Sequence, residues 1–371
     1  MEKSYKIAVI PGDGIGPEIT NEAILTLNKV SEVFGGDFQY ITVPAGTAAV
    51  EQGLPPFPEE SRRICQEADA VLMGKLAVGR HPELPFAKRP ESILADLRAL
   101  LELKCDIRPY YLWEALDDRC PLRKNIRKKG MHIIVVRDIA GGMFAAGQEK
   151  GRKDDGSLAW DTERYSVSTV EDSARIAFDI ARTRGKQVTS LDKAILLSSS
   201  VLWRETMEAV AKDYPDVTLK HMLVDHAALQ LVTHPDEFDV IVASNVFGDI
   251  ISDEIAGLTG VDEFLPAASL STSGKGLYVP NQLHAPHDEQ VGKHMANPIG
   301  LILAAQQMVD FSFHMPKAAK AMRKSVKAVL NDGLATEEFY ENGKTLVTME
   351  EMGQAIRDKL EKWGKDYGNN D

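Results

Sequence analysis

Cysteine is scarce in this chain, and it has neither long apolar runs nor an excess of positive charge. The three cysteines, Cys65, Cys105 and Cys120, are odd in number and show no metal-ligand spacing. That usage favours reduced thiols over a disulfide framework, so we expect a cytoplasmic protein. The sequence has no apolar run of about eighteen residues, and its first residues lead directly into a strand-like segment, so we expect neither a membrane span nor a secretion signal.

The net charge of −12 argues against a nucleic-acid partner. The one basic run, residues 123–129 (RKNIRKK), is short and has no interleaved aromatic residues. What the chain does have is 44% hydrophobic and 26% charged residues in 371 positions, a composition typical of a folded globular protein. A chain of this length exceeds what one hydrophobic core usually organises, so we predict two domains.

The most informative stretch is residues 245–253 (NVFGDIISD), which follows the apolar run 238–243 (FDVIVA). The pattern predicts a strand, a turn and a helix. Asp249 and Asp253 are four residues apart and would share one helix face. Two close carboxylates are typical of a site for Mg²⁺ or Mn²⁺. A solvated helix face is the alternative, and the apolar residues around the pair favour the metal site.

Strands and helices alternate along the chain, which predicts an α/β fold with a mainly parallel sheet and a ligand cleft at the strand ends. Arg98, Arg108 and Arg137 each follow an apolar segment and are candidates for a carboxylate clamp, because guanidinium binds carboxylate through two hydrogen bonds. Structural ion pairing is the alternative for each of them.

Two further candidates lie at predicted strand ends. Lys193 precedes a predicted strand at residues 194–197 (AILL), where desolvation would make it a base, although most lysines are only surface charges. Asp225 follows a predicted strand at residues 218–224 and adds a third carboxylate. The glycine-rich turn at residues 11–17 (PGDGIGP) could present backbone N–H groups to an anion, or it could be a tight turn with no ligand.

With these residues in place, the chain resembles the family of isocitrate and 3-isopropylmalate dehydrogenases, and the isopropylmalate branch most closely. The resemblance covers nearly the whole chain in one order: residues 10–17 (IPGDGIGP), 89–91 (RPE), 97–98 (LR), 107–109 (IRP), 136–137 (VR), 141–142 (GG), 161–163 (DTE), 189–194 (TSLDKA), 202–205 (LWRE), 224–225 (VD), 247–254 (FGDIISDE) and 296–298 (ANP).

The resemblance implies an isopropylmalate dehydrogenase-like two-domain fold and an NAD-dependent, Mg²⁺- or Mn²⁺-dependent oxidation and decarboxylation of a malate-type 2-hydroxy acid. It implies a large cofactor-side domain from residues 1–104 and 261–371, and a small metal and dimerisation domain from residues 105–260. It also implies a homodimer in which Lys193 and Asp225 reach into the partner's cleft. No nucleic acid and no membrane are implied as partners.

Roles for individual residues follow from the same resemblance. The three arginines, with Ser92 and Leu94 at the substituent, would hold the substrate, and Lys193 and Asp225 would be catalytic. The metal would be held by Asp225, Asp249 and Asp253, and the cofactor by Glu91, His284, Asp288 and Asn297.

The chain departs from the family pattern at one catalytic position and at several cofactor-side positions. Phe144 replaces the tyrosine expected to donate a proton to carbon, and Ile195 replaces an asparagine near the nicotinamide. The adenosine loop at 282–288 (QLHAPHD) and the segment 74–79 (GKLAVG) also differ. We therefore expect a divergent member acting on another malate-type acid. The alternatives are a tartrate-type dehydrogenase that does not decarboxylate, and a regulatory protein that binds metal and carboxylate without catalysis.

Overall fold

The computed structural model describes residues 3–145, 147–281 and 283–368. Within them the strands are β1 (Ser4–Ile10), β2 (Asp37–Thr42), β3 (Ala70–Met73), β4 (Cys105–Tyr111), β5 (His132–Asp138), β6 (Lys150–Arg152), β7 (Ala159–Asp161), β8 (Gln187–Asp192), β9 (Thr218–Leu223), β10 (Val240–Ala243), β11 (Pro266–Leu270), β12 (Gly276–Pro280), β13 (Leu334–Ala335) and β14 (Thr345–Leu346). The helices are α1 (Gly16–Phe34), α2 (Thr47–Val50), α3 (Glu59–Glu67), α4 (Ile93–Leu100), α5 (Lys124–Arg127), α6 (Val167–Arg182), α7 (Ser198–Ala211), α8 (Val224–Thr233), α9 (Asn245–Thr259), α10 (Ile299–Phe311), α11 (Pro316–Asn331) and α12 (Met349–Gly368).

Ten strands form one sheet in the order β2-β1-β3-β12-β11-β4-β5-β10-β8-β9. Pairing is parallel on both flanks and antiparallel from β12 through β11 and β4 to β5. The predicted α/β class with a mainly parallel sheet is confirmed. Strands from residues before 105 and after 260 fill one half of the sheet, and strands from residues 105–260 fill the other.

The two faces of the sheet are covered differently. On one face a single hydrophobic cluster runs across both halves and includes apolar residues of α1, α6, α7, α10, α11 and α12. On the other face are two separate clusters, one around α3 and α4 and one around α8 and α9. Apolar packing is thus continuous on one face only. On the other face it is interrupted between the clusters of α4 and of α9, and we call this interruption the cleft.

One predicted strand is wrong. Residues 194–197 are not a strand: β8 ends at Asp192, and a turn follows in which Ile195 and Leu196 are exposed. Asp192 is buried and its Oδ1 accepts a 2.9 Å hydrogen bond from the Ala194 backbone N–H, which turns the chain at this point. The apolar pattern did not predict β8 because this strand contains polar residues. One of them, Ser190, is buried and accepts a hydrogen bond from the Trp203 indole.

The polar segment 148–165 contains a small hairpin, in which β6 pairs with β7 in antiparallel register. The helix predicted from the stretch 245–253 agrees with the structure, because this stretch lies entirely within α9 and begins two residues after β10 ends at Ala243. In the part of the chain that the structure describes, none of the helices combines the length and the apolar character needed to cross a bilayer.

A buried ion pair joins the first and last long helices. Arg357 on α12 donates from Nη1 to Glu22 on α1 at 2.7 Å, and both side chains are almost fully buried. Removing one partner of a buried pair leaves an uncompensated charge. We expect Arg357→Met to lower the free energy of unfolding by about 3–5 kcal/mol, measured by urea denaturation.

The matched control is Arg63→Met, because Arg63 pairs with Glu60 and Glu67 on an exposed face of α3. Exposed pairs of this kind contribute less than about 1 kcal/mol. Equal losses of stability in the two variants would contradict this account of the Arg357–Glu22 pair.

Candidate active site

A buried carboxylate organises the three predicted arginines. Asp106 on β4 is 2% exposed and accepts a 2.9 Å hydrogen bond from Arg108 Nε. Burial by itself would raise the pKa of the Asp106 carboxyl, but Arg108, Arg98 and Arg137 together hold that pKa below its usual value. The structure therefore brings Arg98, Arg108 and Arg137 together around one anion. They come from α4, β4 and β5, and meet in the cleft.

The arginines have hydrogen-bonding capacity to spare. Arg98 Nε is buried and has no hydrogen-bond partner among the described residues. Arg108 Nη1 is 3.7 Å from Asp253 Oδ1, beyond a good hydrogen bond. A buried donor without an acceptor is costly, so an incoming carboxylate would be favoured here.

Helix α9 delivers the two predicted metal-binding carboxylates to the same place. Arg137 donates to Asp249 from Nη1, and it also donates to Asn245 Oδ1 from Nε at 3.1 Å and from Nη2 at 2.8 Å. The Asp253 side chain, one turn further on, is 79% exposed. The predicted apolar surroundings of this pair are not found in the single chain, where Ile250 between them is also exposed.

Lys193 and Asp225 form a second charged group at the far flank of the sheet. Lys193 follows β8, Asp225 lies in the first turn of α8 after β9, and the lysine ammonium donates to the carboxylate. That ammonium holds the pKa of the Asp225 carboxyl below its usual value. In the described part of one chain, no three metal-binding side chains converge. Asp225 therefore does not join Asp249 and Asp253 within a single subunit.

The loops at residues 11–17, 74–79 and 283–288 pack against one another. The backbone N–H of Ile15 donates to Pro286 O at 2.9 Å, and Asp13 Oδ2 accepts from the Ala77 N–H at 2.8 Å. Gly14 has a positive φ of 58°, and a Cβ there would lie 2.0 Å from Pro286 O. The glycine-rich turn therefore packs directly against the 283–288 loop, and this contact requires glycine at position 14 whether or not the turn binds an anion.

The predicted cofactor residues lie on these loops and beside the arginines. Asp288 is exposed, and its carboxylate accepts a 2.6 Å hydrogen bond from Arg80. The pKa of His284 lies below its usual value, mainly because of burial and secondly because of the positive charge of Arg98. In the same described region, Glu91 Oε2 is buried without a hydrogen-bond partner, and the side chain of Asn297 is buried. Gln282, the first residue of the predicted adenosine loop, lies outside the described residues.

Of the two residues predicted at the substrate's substituent, Ser92 is buried and Leu94 is half-buried. Ser92 Oγ has no partner within the described chain. Leu94 packs at the edge of the cluster around α3 and α4. Phe144, which replaces the expected tyrosine, lies in a turn and is 57% exposed.

Several residues of the site were not predicted. Asp106 stands two positions before Arg108 on the same strand face, a spacing that could have identified it. Asn245, which holds Arg137, begins α9, and its backbone N–H donates to the Tyr165 hydroxyl at 2.8 Å. Arg80, which holds Asp288, lies in a loop where no periodic pattern gave a signal.

Comparisons with known proteins agree with this geometry. The family model described as isocitrate/isopropylmalate dehydrogenase matches residues 6–356. The protein named 3-isopropylmalate dehydrogenase in Haemophilus influenzae is 45% identical over 357 residues, covering 95% of this chain and 99% of the relative. The protein of that name in Clostridium acetobutylicum is 42% identical over 360 residues, covering 96% and 100%. A crystal structure of isocitrate dehydrogenase from Methylococcus capsulatus superposes with a TM-score of 0.78 at 30% identity, covering 96% of this chain and 99% of that one.

The chain belongs to the isocitrate/isopropylmalate dehydrogenase family. The prediction that it is an enzyme, an oxidoreductase of the oxidative decarboxylase class, is confirmed by this membership. The resemblance stated from the sequence motifs is confirmed with it.

Close packing of α9 on β5 sets the position of Arg137. A Cβ at Gly248 would lie 2.8 Å from Arg137 Cγ and 2.9 Å from its Cβ, so the arginine stem would have to move. We expect Gly248→Ala to lower the free energy of unfolding by about 1–3 kcal/mol, measured by urea denaturation.

Gly257 on the same helix is the matched control, because nothing lies within 4 Å of its Cβ position. Alanine favours a helix over glycine by about 1 kcal/mol, so Gly257→Ala should leave stability unchanged or raise it. A Gly248→Ala variant as stable as Gly257→Ala would contradict the close contact with Arg137.

Proposed function

We propose that this protein catalyses the NAD-dependent and divalent-metal-dependent oxidation and decarboxylation of a malate-type 2-hydroxy acid with an apolar substituent. The observation that carries the proposal is the convergence of Arg98, Arg108 and Arg137 around Asp106, beside the exposed carboxylate of Asp253. The guanidinium groups of Arg98 and Arg108, which have unused donors, suit an acid with two carboxylates together with that of Arg137. The relatives named 3-isopropylmalate dehydrogenase support the same substrate class.

The residues present fit a hard divalent cation. Asp249 and Asp253 supply carboxylate oxygens one helical turn apart, the type of ligand that Mg²⁺ and Mn²⁺ prefer. In this proposal a bound ion supplies Lewis-acid polarisation of the substrate oxygen. Arg137 donates a hydrogen bond to Asp249, so its guanidinium lies beside a proposed metal ligand. There it would hold a substrate carboxylate next to the substrate oxygen that the ion polarises.

The chain's own groups account for orientation and proton transfer. Lys193 in its neutral form is the proposed base for the hydroxyl proton, and Asp225 would pair with the ammonium that results. Ser92 lies in the 3₁₀ turn Pro90–Ser92 and Leu94 lies in α4. Both would contact the substituent, and Leu94 favours an apolar one. The proposed cofactor residues are Glu91, His284, Asp288 and Asn297. The carboxylate of Asp288 would bind ribose hydroxyls and repel a 2′-phosphate, which favours NAD over NADP.

Assembly as a homodimer is part of the proposal. In the described part of one chain, Lys193 and Asp225 do not converge with Asp249 and Asp253, so a complete site would require a second chain to supply one of the two pairs. Exposed apolar side chains on the same half of the sheet support an interface there: Ile195, Leu196, Leu229, Val232 and Ile250. The division of the sheet into two halves supports domains of residues 1–104 with 261–371, and 105–260.

Turnover of a small panel of acids tests the proposal. Purified protein with Mn²⁺ and NAD is presented with 3-isopropylmalate, D-malate, tartrate and isocitrate, and NADH and CO2 are both measured. We expect NADH and CO2 in equal amounts from one malate-type acid, and slower turnover with NADP.

Other outcomes decide between the alternatives. NADH without CO2 would mean a non-decarboxylating dehydrogenase, for which the exposed Phe144 in place of tyrosine is the supporting observation. No turnover of any acid, with NAD failing to bind in a direct titration, would contradict the proposed catalysis and favour a regulatory binding protein.

A subunit-mixing experiment tests the shared site. Lys193→Met and Asp249→Asn should each be inactive alone. In a heterodimer of the two, one site carries both changes and the other carries neither. Equal amounts, unfolded and refolded together, should recover about a quarter of wild-type activity, because half of the dimers then have one intact site.

The control mixes Lys193→Met with Asp225→Asn, which should stay inactive because both residues would come from the same subunit of each site. Recovery in this control, or no recovery in the first mixture, would contradict sharing of the site across the dimer.

A further inference from the structure

A second cavity lies on the opposite face of the sheet from the arginine cluster. It encloses about 570 Å³, within the usual range for small-molecule sites. Its walls include Tyr111 of β4 and Ile134 of β5, which point away from Arg108 and Arg137 because side chains alternate along a strand. Helices α6, α10 and α11 supply most of the remaining walls, together with the turn after α6 and Asp239. It is therefore separate from the proposed active site.

A buried amide on α10 gives the cavity an unused acceptor. Gln307 is 2% exposed and lines the cavity. Its Nε2 donates to Ile107 O at 3.4 Å, whereas its Oε1 has no partner among the residues described. Buried polar atoms are normally hydrogen-bonded. An N–H donor on a ligand would satisfy this oxygen.

The walls also carry charges of both signs. Arg323 lies over the Tyr111 ring, 5.4 Å from its centroid, with Lys320 one turn away on the exposed side of α11. Asp310 lines the cavity too, and burial raises the pKa of its carboxyl, with Arg323 and His314 only partly offsetting the shift. The cavity thus offers two cations and one anion that is poorly compensated.

A second arginine in the wall is already committed. Arg184 donates from Nε to Asp239 at 2.9 Å, and its other nitrogens contact the ring and the carbonyl of His132 at 2.7 and 2.8 Å. Arg184 therefore forms part of the cavity wall, and Arg323 and Lys320 are the cations that remain for a ligand. Between these polar groups the lining is apolar, with Ile134, Ile180 and Phe311.

From these groups we infer that the cavity binds a small α-amino acid with an apolar side chain. The ammonium group would donate to Gln307 Oε1 and face Asp310, and the carboxylate would face Arg323 and Lys320. The side chain would lie among the apolar residues of α6, α10 and β5. A simple carboxylate would leave Gln307 Oε1 without a donor, and a simple amine would have no group to pair with Arg323 and Lys320.

The position of the cavity gives such a ligand a further consequence. Its walls come from both halves of the sheet, α6 and β5 on one side and α10 and α11 on the other. A ligand that contacts both would hold the halves together on the face opposite the cleft. The binding itself goes beyond the proposed catalysis and is measured without turnover.

Titration calorimetry on the intact protein tests the inference. L-phenylalanine and L-leucine are the probes, and phenylalaninamide and 3-phenylpropanoate each lack one of the two charges. We expect at least one amino acid to bind, and for L-phenylalanine the loss of either charge should weaken binding by about tenfold or more. No binding of either amino acid at millimolar concentration, or equal binding of 3-phenylpropanoate, would overturn the inference.

Variants locate the site. Arg323→Gln and Asp310→Asn should each weaken binding of the amino acid by about tenfold. Lys327→Ala is the control, because it removes an exposed charge from the same helix at a residue outside the cavity lining. Unchanged binding in both cavity variants, or an equal loss in Lys327→Ala, would overturn the assignment. The analogue series stands on the unmodified chain if a variant does not fold.

Discussion

The candidate active site depends on one buried carboxylate. Asp106 accepts hydrogen bonds from Arg108 and from Ser269 Oγ, the latter at 3.1 Å, and three guanidinium groups lie around it. Like charges repel, so three arginines from separate elements remain close only if an anion lies among them. Asp106 supplies that anion permanently, and it leaves donors free for a second one. The substrate carboxylates in our proposal would take that second place.

The sheet explains why this cluster lies in the cleft. Its antiparallel centre, from β12 to β5, joins two parallel flanks, and one continuous apolar cluster covers a single face. On the other face the helices divide into two groups, so the residues between the groups lie outside both apolar clusters. Asp106, Arg108 and Arg137 project on that face from β4 and β5. The candidate active site thus lies where the apolar packing on the sheet is interrupted.

Much of this could be predicted from the sequence, because strong patterns reflect local physics. The carboxylates of α9 and the arginines after apolar segments were identifiable from spacing and context. The strand at 194–197 was predicted wrongly because apolar residues there are exposed, while the true strand buries Thr189 and Ser190. Those exposed apolar residues belong to the surface that we propose a partner subunit covers, and a single sequence does not say which apolar residues face a partner.

Other residues were not predicted. The spacing of Asp106 and Arg108 puts both on one strand face, but only the fold brings the other two arginines to them. Gln307 stands in an apolar helix, and its unsatisfied oxygen becomes evident only when the neighbouring strands and helices are in position. Long-range contacts of this kind depend on the order of the strands, which local periodicity does not encode.

The most direct test of the central claim is the affinity of Asp106→Asn for the acid that the enzyme turns over. Asparagine keeps the shape of the side chain and removes its charge. The account predicts that KM and the directly titrated dissociation constant of the acid both rise by about tenfold or more, because the arginines lose the anion that holds them together. A Ser269→Ala control, which removes only one neutral hydrogen bond to Asp106, should change them much less. Wild-type affinity in a folded Asp106→Asn variant would contradict the account.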